Sequence, residues 1–145
     1  MPHFNYCCTV WSATSKYNTS RLQRLQNRAM RIILQCKYDT HIRDMLNKLG
    51  FLSIENRLKL HLAILMFKIR NNLVPNYLLY EDLFFVNVRS HRLQSNNNFQ
   101  VTRNHSNSLH VRGVQLWNAL CEIKSIKNLT EFKKQYIKFI WDSCD

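Results

Sequence analysis

The sequence predicts a mainly α fold, a small helical domain of about five to six helices with one long polar loop. Gly and Pro number only two each among 145 residues, whereas average usage would give about 17 in total. Apolar residues make up 46% of the chain, which is typical of a globular protein. Over several stretches they recur every three or four residues, which indicates amphipathic helices packed on a core.

The first strong helical pattern covers residues 20–37. Its apolar residues fall within roughly a 100° arc of a helix, and we expect them to face the core: Leu22, Leu25, Ala29, Ile32, Ile33 and Cys36. Four arginines fall within roughly an 80° arc beside them and are called the arginine ridge: Arg21, Arg24, Arg28 and Arg31. Ser20 is expected to cap this helix, with Gln23 completing a capping box.

Two further helices follow in the first half of the chain. A cap at Asp39 or Thr40 predicts a short helix that ends at Gly50, a typical C′ residue. Ser53 is expected to cap a long central helix over residues 54–71. The apolar side of that helix is wide enough for a core position: Leu58, Leu62, Leu65, Met66 and Ile69. Pro75 suits the first turn of another helix.

The second half of the chain contains the predicted loop and two helices. Periodicity fails over residues 86–112, which predicts a long basic loop with short extended pieces at 99–101 and 109–111. Helical character returns at 113–120. Thr130 is expected to cap a last helix whose packed residues are Phe132, Tyr136, Phe139 and Ile140.

The length suits one domain covering residues 1–145. Residues 6–11 are apolar and have no cap ahead of them. We therefore interpret them as the tail of a helix whose beginning is missing, so that the domain is truncated at its N-terminal side.

Charge is the main functional signal. Lys and Arg number 21 against nine Asp and Glu, for a net charge of +12. No acidic residue precedes Asp39, and Lys16 and Lys37 extend the arginine ridge. A second run without acids carries the residues of a predicted secondary basic patch: Arg89, Arg92, Arg103 and Arg112. Such one-sided charge indicates a polyanionic partner.

Several classes of function find no support in the sequence. The five cysteines form no C-x-x-C pair and no spacing with histidine that suits zinc, so no metal site is predicted. No serine, cysteine or carboxylate stands in a motif for a nucleophile or general base. We therefore predict no catalytic residue, no cofactor and no small-molecule substrate. No apolar run approaches the roughly 18 residues of a membrane span, so no membrane partner is expected.

Compartment and aromatic roles are also predicted from residue types. The odd cysteine count and the lack of a secretory signal favour reduced thiols in the nucleus or cytoplasm. Trp11 and Trp117 lie among apolar residues and are expected in the core. The histidines of the polar stretch are expected on the surface: His91, His105 and His110.

Three blocks of sequence occur in a fixed order. The first joins an aromatic element to the basic helix, through Tyr6, Val10, Trp11, Leu22, Leu25, Gln26, Arg28, Ala29 and Arg31. The second consists of Leu49, Gly50, Leu52, Arg57, Lys68, Ile69, Asn71, Pro75, Tyr77 and Leu78. The third is GVQLWNAL from Gly113, followed by LTEFK from Leu129. This series resembles the region near the C-terminal end of reverse transcriptases of non-LTR retrotransposons, of the jockey and CR1-like kind.

The resemblance covers about residues 4–141 and corresponds to thumb and post-thumb sequence. Cys121 stands where that family usually has proline, and the chain lacks the adjacent aspartates of the palm. The resemblance therefore implies a catalytically incomplete remnant of an RNA-directed DNA polymerase from a mobile element. It also implies binding of RNA or an RNA–DNA duplex, without sequence specificity, through the arginine ridge with Lys16 and Lys37.

Two alternatives stay open at this point. The chain can be a helical protein-interaction or structural fragment whose basic face is incidental. It can also be a genomic relic with no selected function. The sequence does not predict an oligomeric state.

Overall fold

The protein is mainly helical, as its sequence predicts. The structure, a computed structural model, describes residues 5, 7–75, 99, 108–120 and 122–142. Within these residues there are six α-helices and no strand. The helices are α1 (Cys8–Trp11), α2 (Lys16–Leu34), α3 (Ile42–Leu49), α4 (Ile54–Arg70), α5 (Leu109–Ala119) and α6 (Leu129–Asp142). A short 3-10 helix, Glu122–Ser125, comes between α5 and α6.

The chain divides into two compact units. Thr14–Leu58 forms one, called the basic unit, and Met1–Ala13 with Lys59–Asp145 forms the other, called the aromatic unit. The single, N-terminally truncated domain of the sequence analysis stays a prediction.

The core of the aromatic unit is a chain of rings. The ring centroid of Phe132 lies 4.7 Å from that of Phe67, 5.9 Å from that of Trp117 and 6.0 Å from that of Tyr136. Phe99 meets Trp117 edge-on at 5.9 Å. Such pairs contribute about 0.5–1.5 kcal/mol beyond the area they bury. The predicted burial of Trp117 is confirmed, since it is 1% exposed, and so is that of three predicted residues of the last helix: Phe132, Tyr136 and Ile140.

A glycine lets two helices of this unit approach closely. A Cβ atom added to Gly113 in α5 would lie 2.6 Å from Sδ of Met66 in α4. Met66 is itself buried. The side chain of Met66 therefore occupies the space that a side chain at position 113 would need.

Three expectations about burial in the aromatic unit are wrong. Phe139 is 46% exposed, and Trp11 is only half-buried. His110, expected on the surface, is buried, and burial lowers its pKa. His110 lies one and two helical turns before Val114 and Trp117, so α5 carries it inward with them.

The basic unit packs α2 against α3. Met30 and Met45 are completely buried, and Sγ of Cys36 lies 3.4 Å from Sδ of Met45. Gly50 ends α3 with a φ of 60°, as predicted. Ser53 Oγ accepts a hydrogen bond from the Asn56 N–H at 3.2 Å, which confirms its capping role.

The helix starts in the basic unit differ from prediction. α2 begins five residues earlier than expected, because Ser15, not Ser20, accepts the capping hydrogen bond from the Asn18 N–H. No Gly or Pro interrupts the intervening residues. α3 follows His41 and has no side-chain cap, so neither Asp39 nor Thr40 caps it.

Two helix starts in the aromatic unit are also corrected. Ser108 Oγ accepts from the Val111 N–H at 3.2 Å, so residues 109–112 are the first turn of α5 and not loop or extended chain. Asn128 Oδ1 accepts from the Thr130 N–H at 2.8 Å, so Asn128, not Thr130, caps α6. The rest of the predicted basic loop, apart from Phe99, and the helix predicted after Pro75 lie outside the described residues.

Candidate nucleic-acid interface

The buried side of α2 is not the side that its apolar pattern predicts. Gln26, Asn27 and Met30 are 1%, 8% and 0% exposed. Three aliphatic residues expected in the core are instead exposed: Leu25 at 59%, Ile32 at 70% and Ile33 at 58%. The others in the predicted stripe, Leu22, Ala29 and Cys36, are half-buried.

Hydrogen bonds to the backbone explain this orientation. Nε2 of Gln26 donates to the Leu52 carbonyl at 2.8 Å. Oε1 of Gln23 accepts from the Ile54 N–H at 2.8 Å, which is one of the N–H groups that no carbonyl within α4 can satisfy. The amide side chains of α2 therefore provide hydrogen-bond partners for the backbone groups at the start of α4.

A third amide completes this polar contact. Nε2 of Gln23 donates to Oδ1 of Asn27 at 2.8 Å, so Gln23 does not serve the capping box predicted for it. Gln23, Gln26, Asn27 and Met30 recur every three or four residues, which is a helical stripe. That spacing was the available signal in the sequence, although amides do not count as apolar.

The arginine ridge lies on a different side of α2. Arg21, Arg24 and Arg28 are exposed, and Arg31 is half-buried. Among the residues that the structure describes, no carboxylate forms an ion pair with any of the four. From Arg21 to Arg31 the helix rises about 15 Å. The ridge is therefore a row of positive charges of that length, which no described carboxylate compensates.

Two exposed tyrosines, which the sequence analysis missed, contact the ends of the ridge. Cζ of Arg21 lies 5.8 Å from the ring centroid of Tyr17, and Cζ of Arg31 lies 4.8 Å from that of Tyr38. Both distances suit cation–π contacts. Tyr17 is 68% exposed and Tyr38 is 87% exposed. The ridge with these two tyrosines is called the tyrosine–arginine face.

The surrounding charge adds to the positive potential of this face. Lys16 and Lys37, predicted to extend the ridge, are exposed just before Tyr17 and Tyr38 in the chain. Residues 14–58 contain nine Lys and Arg side chains and three Asp and Glu side chains. An excess of this size raises the local concentration of anions and speeds their association.

The predicted secondary basic patch is not supported at its one described member. Nη1 of Arg112 donates to the Ser12 carbonyl at 2.8 Å, and Nη2 donates to Ser12 Oγ at 3.2 Å. Burial lowers the pKa of Arg112. Arg112, which is half-buried, therefore links α5 to the end of α1 through these two hydrogen bonds. Arg89, Arg92 and Arg103 lie outside the described residues.

Comparison with known proteins finds no relative of this chain. No family model matches the chain, and neither the curated proteins nor the solved structures contain a significant match. Within the described part of the chain, no helix has the length and apolar character needed to cross a membrane.

Proposed function

We propose that this chain binds the backbone of RNA or of an RNA–DNA duplex through the arginine ridge, without sequence specificity. The observation that supports it is the row of arginines on one face of α2, of which Arg21, Arg24 and Arg28 are exposed and none forms an ion pair with a described carboxylate. Guanidinium groups bind phosphates through two parallel hydrogen bonds. A ridge of about 15 Å matches about four phosphates along one strand at 3.4 Å each.

The sign pattern of the face favours an anionic ligand over simple solvation. Protein surfaces that only need solubility usually intersperse both signs. The sequence of α2 contains no acidic residue at all. Contacts of this kind hold the backbone and do not distinguish bases, so the proposed binding tolerates any sequence.

The proposal includes an origin. The three sequence blocks support a catalytically incomplete remnant of a non-LTR retrotransposon reverse transcriptase, acting in the nucleus or cytoplasm. On this proposal the chain alone does not polymerise.

Salt dependence of RNA binding tests the proposal. The logarithm of the binding constant falls with log salt at about −0.7 per phosphate contact for single strands and about −0.9 for duplex DNA. We expect a slope for roughly three or four contacts. Replacing Arg21, Arg24 and Arg28 by alanine is expected to remove about one contact each.

The chain offers a control of matched charge. Lys133, Lys134 and Lys138 are exposed on α6, and their triple alanine variant loses the same three charges. The control is expected to keep the slope and most of the affinity. Equal losses in both triple variants indicate net charge alone and contradict the proposal. Unchanged RNA affinity in the arginine variant contradicts it as well.

A second candidate function is a helical protein-interaction surface. The exposed aliphatic side chains of Leu25, Ile32 and Ile33 favour it, since exposed apolar clusters mark interaction sites. Replacing these three residues by serine leaves RNA affinity unchanged under the first proposal. A wild-type chain that does not bind RNA at low salt, but whose self-association these serines abolish, supports the second candidate instead.

A further inference from the structure

We infer that the tyrosine–arginine face takes single-stranded nucleic acid in preference to a duplex, with bases stacked on Tyr17 and Tyr38. This inference rests on the proposed function and names the form of its ligand. The juxtaposition that carries it is two highly exposed aromatic rings, one at each end of a row of uncompensated arginines.

The two rings are exposed to solvent, and each contacts an arginine of the ridge. Each has an arginine guanidinium close to it, while 68% of Tyr17 and 87% of Tyr38 remain exposed. Proteins that bind single strands combine a basic track with aromatic side chains on which bases stack. In a duplex the bases are already stacked and paired, so their faces are not available to a tyrosine.

Tyr17 lies on the same face of α2 as the ridge, before its first arginine. It precedes Arg21, Arg24 and Arg28 by four, seven and eleven residues, and these intervals return to the same face of a helix. Tyr17 and the arginines therefore form one continuous stripe. A strand whose phosphates follow the arginines can place a base against this ring.

Tyr38 lies at the opposite end, over Arg31. The next residue, Asp39, is an exposed carboxylate. A phosphate beside Asp39 meets charge repulsion, whereas a neutral base does not. Asp39 therefore limits how far phosphates can extend past Arg31 and Lys37, and the ring of Tyr38 offers a stacking surface at that point.

The spacing sets the length of the ligand. Tyr17 and Arg31 are 14 residues apart, which is about 21 Å along the helix. About six nucleotides cover that length at the 3.4 Å rise of a stacked strand. Oligonucleotides of about three nucleotides can reach only one ring, so affinity is expected to rise steeply up to about six.

Fluorescence anisotropy on the full chain tests the inference with three probes of equal length. The probes are a single-stranded oligouridylate, a single-stranded oligothymidylate and an RNA–DNA duplex. Wild-type protein is expected to prefer the single strands, and the first two probes separate RNA from DNA. A double variant, Tyr17→Ala with Tyr38→Ala, is expected to lose about tenfold in single-strand affinity per tyrosine while duplex affinity stays the same.

The conservative variant keeps the stacking surface. Tyr17→Phe with Tyr38→Phe is expected to retain single-strand affinity, which a role of the hydroxyl groups would not allow. Far-UV circular dichroism checks that all variants stay folded, as expected for exposed positions.

Failure of the inference differs from failure of the proposed function. Equal affinity for single strand and duplex, lost on removal of the arginines but not of the tyrosines, overturns the inference and leaves the proposed function intact. Absence of binding to all three probes at low salt overturns both.

Discussion

The two units of this protein differ in the kinds of side chains that they bury. In the aromatic unit, the buried side chains that the structure describes are apolar apart from His110, and Trp117 and Phe132 are almost fully covered. In the basic unit, α2 buries Gln26 and leaves Ile32 70% exposed. Hydrophobic periodicity therefore predicts the buried side of a helix only when no neighbouring backbone group requires that side.

The magnitudes explain how an amide can prevail over an aliphatic side chain. Burying an isoleucine contributes about 1.5–3 kcal/mol. Leaving a buried N–H such as that of Ile54 without a partner costs about 1–3 kcal/mol. The two quantities are comparable, so a few well-placed hydrogen bonds decide which side of α2 is buried.

The largest expected effect comes from the aromatic core. Trp117→Ala is expected to lower the free energy of unfolding by about 3–5 kcal/mol, because it removes a ring that contacts both Phe99 and Phe132. Ile32→Ala, on the exposed side of α2, is expected to change it by less than about 0.5 kcal/mol. Urea denaturation measures both. Similar losses for the two variants would remove the contrast between the units.

A pH dependence should also belong to the aromatic unit. Burial raises the pKa of Tyr136 to about 12 from its ordinary value of 10.0. The folded protein therefore holds this proton more tightly than the unfolded chain. The associated stability is complete below pH 10, and about 2–3 kcal/mol is lost as the pH rises to about 12.

Tyr136→Phe isolates this effect from the titration of lysines. The difference in unfolding free energy between wild type and variant is expected to be constant below pH 10. Above it, the wild type loses stability relative to the variant. Parallel curves for the two proteins up to about pH 12 contradict a neutral, buried phenol.

A smaller effect is expected from the amides of the basic unit. Gln23→Ala removes the acceptor of the Ile54 N–H and is expected to cost about 1–2 kcal/mol. Its exposed neighbour provides the control, since Arg24→Ala is expected to stay within about 0.5 kcal/mol. Hydrogen exchange at Ile54 should accelerate only in the first variant. Unchanged exchange there would mean that hydrophobic contacts alone orient α2.

The smallest effect is expected on the exposed aliphatic side. The double variant Ile32→Ser, Ile33→Ser should keep the unfolding free energy within about 1 kcal/mol, since each exposed substitution changes it by about 0.5 kcal/mol or less. Thermal and urea denaturation measure it. A loss of several kcal/mol shows that these side chains are covered in solution.

The sequence predicts the parts of this structure that depend on local rules. The scarcity of Gly and Pro predicts helices. The spacing of aromatic residues in α6 predicts which side of that helix packs on the core. The arginines of α2 share one arc, whichever side of the helix is buried. The rotation itself depends on Leu52 and Ile54, which are about 30 residues away from the amides they contact. Hydropathy cannot register a hydrogen bond to a distant backbone group.

The predicted starts of α2 and α6 were wrong for a related reason. Ser, Asn and Thr occur together before α2 and α6, and several of them can accept the capping bond. Ser15 is the cap because its backbone is extended, whereas Ser20 already lies within the helix. The tyrosines were missed because Tyr17 precedes the predicted helix start at Ser20 and Tyr38 follows the predicted helix end, so the periodic pattern included neither.

The contact at Gly113 limits which substitutions this position can accept during evolution. Even one added methyl group requires Met66 to move, and larger side chains overpack the contact at a cost of about 1–3 kcal/mol. Single-base changes in a glycine codon produce mostly such larger residues. On the proposed mobile-element origin, copies that no longer have to fold are expected to diverge at this position at the neutral rate, whereas copies that must still fold are expected to keep a small residue there. On that proposal, the codon for Gly113 reports whether natural selection still maintains the fold.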